Sequence, residues 1–74
     1  MRPELTEILT SVLEIPAVSG ADSSSTIPSW DSVRHLTLIT AIEERFEVSF
    51  DAGELMELTS VSAIVEALRR HGRL

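Results

Sequence analysis

The chain contains no cysteine and no lysine. Without cysteine, neither disulfides nor thiolate metal sites can support the fold. Without lysine, six arginines face twelve acids and the formal net charge is −6. A basic phosphate-binding face is therefore missing, and nucleic acid is excluded as a partner. No apolar run approaches the length of a membrane span and no signal peptide opens the chain, so no membrane partner and a cytoplasmic setting are expected. No phosphate-cradling glycine loop appears, no two histidines have a metal-ligand spacing, and no metal site is expected. Strand patterns and internal repeats are likewise absent.

What remains is 74 residues rich in leucine, isoleucine and valine. A chain of this size has room for one core and buries roughly 60% of its unfolded surface. A single domain over residues 1–74, acting as a monomer, is expected. Charge is unevenly placed. Residues 31–57 hold seven acids and two arginines, a net of −5, whereas residues 58–74 hold Glu66 against Arg69, Arg70 and Arg73, a net of +2. An acidic middle suits basic partners.

The hydrophobic spacing predicts an all-α bundle of three main helices and one short helix, with a long first loop. Leu5, Ile8, Leu9, Val12 and Leu13 form one apolar stripe, Pro3 suits the first turn, and Pro16 predicts a stop near Ile15. Residues 16–30, PAVSGADSSSTIPSW, read as a flexible loop pinned to the core by Val18, Ile27 and Trp30. A second helix is expected from Ser32 to Phe46 with Asp31 as its cap. Asp51 and Glu54 have capping-box spacing at a short third helix, with Leu55 and Leu58 facing inward. Ser60 caps a last helix with the stripe Val61, Ile64, Val65 and Leu68, closed by Arg69, Arg70, His71 and Gly72.

At about 100° per residue, Leu38, Ile39, Ile42 and Phe46 of the second helix share one arc, which predicts its core face. Val33, Thr37, Thr40 and Glu44 lie opposite, with Leu36 at their edge, Glu43 and Glu47 on one flank, and Arg34 and Arg45 on the other. This second face, apolar in its middle and acidic at its rim, has the character of a docking surface. Ser32 stands at its front, where a helix N-terminus offers unpaired N–H groups to a phosphate. His35 falls near the core arc and His71 near a helix C-terminus, and neither has a constellation that supports catalysis.

On these residues the chain resembles the acyl carrier proteins. Their Asp-Ser-Leu signature at the head of the second helix stands here as Asp31-Ser32-Val33, and DSVRHLTLITAIEERFEVSF is similar to that helix throughout. The long loop, short third helix and closing TSVSAIVEAL extend the resemblance over almost the whole chain. It implies that Ser32 receives a 4'-phosphopantetheine arm from coenzyme A through a separate, magnesium-using transferase, and that Asp31 helps engage that enzyme. Val33, Leu36, Thr37, Thr40 and Glu44, with Glu43 at the rim, then meet partner enzymes that load and transfer acyl groups as thioesters. The carrier itself has no catalytic activity on this reading. Val33 in place of leucine, Trp30 in place of a common glycine, and Arg34 and Thr37 in place of acids depart from the fatty-acid carriers. An unmodified interaction module of the same fold is the alternative.

Overall fold

The computed structural model describes residues 1–74. Four helices follow one another: α1 (Pro3–Leu13), α2 (Ser32–Phe46), α3 (Ala52–Glu57) and α4 (Val61–Arg70). The fold class is as the sequence predicts. None of these helices is long and apolar enough to cross a membrane.

The helix starts are set by side-chain oxygens. Asp31 accepts from the Arg34 backbone N–H at 2.8 Å, Ser60 from Ala63 at 3.1 Å, and Asp51 completes a capping box with Glu54. Each satisfies an N–H that the helix leaves without an internal partner. The ends of α1 and α2 share another device. Glu14 and Glu47 both take left-handed backbone angles, and Ile15 and Val48 each donate back five residues, to Thr10 and Glu43. This is the Schellman closure, made here with glutamate where glycine is usual. It ends α1 at Leu13, two residues before the expected stop, and Pro16 disfavours helical angles at Ile15 beyond it.

The core holds Leu5, Leu9 and Leu13 of α1, Leu38, Ile39 and Ile42 of α2, Leu58, and Val61, Ile64, Ala67 and Leu68 of α4. Ile27 and Trp30 of the loop close it, as expected, while Val18 packs at its margin. Two expectations shift. Phe46 is only partly buried, because it is the last residue of α2 and sits where the chain turns away. On α4, Val65 lies at the edge of the apolar arc and Ala67 takes the fully buried place.

The first loop is more ordered than its composition suggests. The Asp22 carboxylate accepts from the Ser19 N–H and the Thr26 hydroxyl, both at 2.9 Å, and these bonds hold its carboxyl below the usual carboxylate range. Ser23 bridges to Ser60, and the Val61 N–H donates to the Asp22 carbonyl at 3.0 Å. At its other end, the Ser29 hydroxyl donates to the Leu13 carbonyl at 2.7 Å. Together these bonds fix the approach to Ser32 from both sides.

Candidate functional site

Asp31 and Ser32 form the head of α2. Asp31 is extended (φ −99°, ψ −176°), which turns its carboxylate back over the first turn to cap it. Ser32 is the first helical residue and is exposed. Its hydroxyl stands at the positive end of a 15-residue helix, on a backbone held by the cap. Two of the five loop serines differ in burial. Ser23 and Ser29 are half-buried and hydrogen-bonded within the fold.

The outward face of α2 is where the wheel places it. Val33 is 73% exposed and Leu36 56%, both unusually open for apolar residues, and Thr37, Thr40 and Glu44 are exposed beside them. The hydroxyls of Thr37 and Thr40 fold back onto the carbonyls of Val33 and Leu36, at 3.3 and 2.9 Å. Bonded in this way, the hydroxyls are turned to the helix backbone and the methyl groups are left to the surface. The face is thus more apolar than its residue letters suggest.

Two flanking residues have work inside the fold. Glu43 is half-buried, and its carboxylate accepts from the Phe50 backbone N–H at 2.8 Å, so it braces the turn between α2 and α3. Arg34 reaches away from the face: its Nη1 donates to the Val12 carbonyl at 2.7 Å and its Nη2 pairs with Glu14. The guanidinium thereby satisfies an open carbonyl at the end of α1 and subtracts little from the acidity around Ser32.

A groove of about 410 Å³ opens beside Ser32, between the head of α2 and α3. Trp30, Leu36, Leu55 and Met56 give it an apolar lining, and Asp31, Ser32 and His35 stand along it. Met56, 79% exposed, is a contact that the sequence reading missed. The spacing of Leu55 and Leu58 carried the signal, since Met56 follows the inward Leu55 of α3 and precedes the buried Leu58 at its C-cap, on the opposite side of the turn. No group of three or more histidine, cysteine or acidic side chains is placed to hold a metal ion.

An exposed hydroxyl, a helix N-terminus and an adjacent apolar groove suit a phosphodiester-linked arm. Comparison decides the family: residues 3–68 match the model described as the phosphopantetheine attachment site. The chain belongs to that family. It is also similar to the solution NMR structure of a holo acyl carrier protein from Geobacter metallireducens, with a TM-score of 0.79 and 27% identity over 93% of this chain and 85% of the other. A search of curated proteins finds no match. The protein is an acyl carrier of the four-helix type, and its prosthetic group is 4'-phosphopantetheine.

Proposed function

We propose that Ser32 is the residue that carries the arm. The observation behind this reading is the exposed hydroxyl at the first position of α2, on a helix end fixed by Asp31. In the loading step, the Ser32 Oγ attacks the phosphorus of coenzyme A that bears the pantetheine chain. A new Oγ–P bond forms, the P–O bond to adenosine 3',5'-bisphosphate breaks, and the hydroxyl proton passes to a base on the transferase. The N-terminal N–H groups of α2 favour the phosphodiester that results.

Asp31 serves twice on this reading: one carboxylate oxygen caps α2, and the exposed remainder of the group engages the transferase. Val33, Leu36, Thr37 and Thr40 supply an apolar contact beside the arm, with Glu44 as the acidic rim and Glu43 behind it as a brace. The partners are a phosphopantetheinyl transferase and discrete biosynthetic enzymes that load and take up acyl groups. Residues 1–74 act as one domain, as a monomer in the cytoplasm, and the chain performs no chemistry of its own. The arm supplies a thiol for thioester attachment when bound; this chain presents, orients and is recognised.

The test is intact-protein mass after incubation with coenzyme A, magnesium and a broad-specificity transferase. Wild type gains one phosphopantetheine and Ser32→Ala gains none. The variant stays folded, because Asp31 still caps and alanine is a good helix former. No gain by wild type with several transferases would favour the unmodified interaction module instead.

A further inference from the structure

His35 lies neither in the apolar core nor on the docking face. Its ring is half-buried where the end of the first loop, the head of α2 and the end of α3 meet. The Trp30 indole Nε1 donates to His35 Nδ1 at 3.1 Å, and His35 Nε2 lies 2.8 Å from the Leu55 carbonyl oxygen. An indole N–H can only donate and a carbonyl can only accept. Nδ1 must then accept and Nε2 must donate, which is the neutral imidazole protonated at Nε2 alone. The Leu55 carbonyl belongs to the last turn of α3, where no internal partner is available, so His35 caps that helix from across the groove.

The ring geometry sets what a second proton does. The indole and imidazole centroids are 6.3 Å apart with 24° between the planes. Combined with the 3.1 Å N···N contact, that separation means the rings meet edge to edge, without face-to-face overlap. A proton on Nδ1 would confront the indole N–H and the positive edge of the ring system, not its negative face. The bond to Leu55 would survive, since a cation is favoured at a helix C-terminus. Trp30 alone would lose its partner, and it is only 4% exposed.

We propose that neutral His35 is a positioning residue that locks Trp30, and with it the wall of the groove beside Ser32, and that protonation of this ring unlocks Trp30. The lock is a property of the unloaded chain; its bearing on the arm rests on Ser32 being the attachment site. Few other charges face the ring. Asp31, on the same groove, caps α2 through one carboxylate oxygen and is otherwise exposed to solvent, and Arg34 reaches away to α1. On α3, Glu54 is drawn to His71 and Arg70, and Glu57 is exposed at the helix end. Ser24 and Thr59, which complete the groove, are neutral.

Trp30 is the only tryptophan, so one indole N–H signal reports the lock in the full, unloaded chain. At about pH 8, nitrogen NMR of the His35 ring should show the Nε2–H tautomer. Indole exchange, relative to its intrinsic rate, should be slowed at least about tenfold over His35→Leu. Acidification, followed on the same ring nitrogens until the second proton is bound, should remove that protection and shift the Trp30 emission. His35→Gln keeps one acceptor and one donor and cannot titrate, so its indole protection should be the same before and after acidification. His71 remains in both proteins, so any contribution from its contact with Glu54 cancels. An Nδ1–H tautomer, a wild-type indole still protected once the His35 ring carries both protons, or a His35→Gln chain with the wild-type response would each overturn the proposal. None of these readouts involves loading, so they stand or fall separately from the assignment of Ser32.

Discussion

The two faces of α2 are built from similar letters and put to opposite uses. Leu38, Ile39 and Ile42 are at most 2% exposed, whereas Val33 and Leu36, from the same stretch of fifteen residues, are 73% and 56% exposed. The adjacent glutamates repeat the contrast: Glu43 is committed to the Phe50 N–H and Glu44 is free. Burying Val33 and Leu36 elsewhere would have stabilised a small domain that has little to spare. Leaving them open beside the exposed Ser32 is what a protein handled by other proteins requires. One face is answerable to the fold and the other, on the proposed reading, to partners.

The largest expected effect separates the faces by stability. Ile42→Ala should cost roughly 2 to 5 kcal/mol in urea unfolding, enough to threaten folding altogether. Val33→Ala should cost less than about 0.5 kcal/mol while lowering transferase kcat/KM with the helical circular dichroism unchanged. Similar stability losses for the two would show that the faces are not distinct. Next come the paired glutamates. Glu43→Ala should cost about 1 kcal/mol through the unpaired Phe50 N–H, without a salt-dependent change in loading. Glu44→Lys should leave stability alone and slow loading, the more so at low salt, because exposed charges are screened over about 8 Å at physiological ionic strength.

A third contrast is between Glu44 and Glu54. The hydrogen bond from His71, aided by the Asp51 N–H and Arg70, holds the Glu54 carboxyl below the usual carboxylate range. A lowered value means that the contribution is present at neutral pH and lost as pH falls through it. The melting-temperature difference between wild type and Glu54→Gln should therefore persist at pH 5 to 7 and vanish only below the ordinary glutamate value of about 4.3. Glu44→Gln removes no side-chain bond and should leave the melting temperature at neutral pH unchanged. The smallest effect is at the end of α2, where Glu47→Gly should raise stability by up to about 1 kcal/mol by relieving a left-handed glutamate.

Much of this was legible in the residue order. The bounds of α2 and its Asp31 cap were predicted as observed, because a loop ending in Pro28 and Trp30 meets a capping residue and an unbroken 3.6-residue period. The capping box of α3 was readable for the same reason: both partners lie three residues apart. The exposed face of α2 was readable as the arc left over by the core. What escaped were bonds between elements distant in sequence. Arg34 to Val12, Glu43 to Phe50, and the chain from Trp30 through His35 to Leu55 depend on how helices cross, and periodicity carries no information about crossing. Phe46 escaped at the other extreme, since a wheel treats a helix as endless and gives its last residue the same weight as its middle.

The contrast between the two faces converges on one atom, the Ser32 Oγ. Its most direct measurement is fragmentation mass spectrometry of the loaded protein, locating the added phosphopantetheine within residues 1–34. That segment also holds Ser11, Ser19, Ser23, Ser24, Ser25 and Ser29, so the other hydroxyls compete in the same experiment. The group should be found on Ser32 alone. Finding it on Ser29 or on any serine of the 23–25 run would contradict the account, because it would show that an exposed helix head is not what the transferase reads.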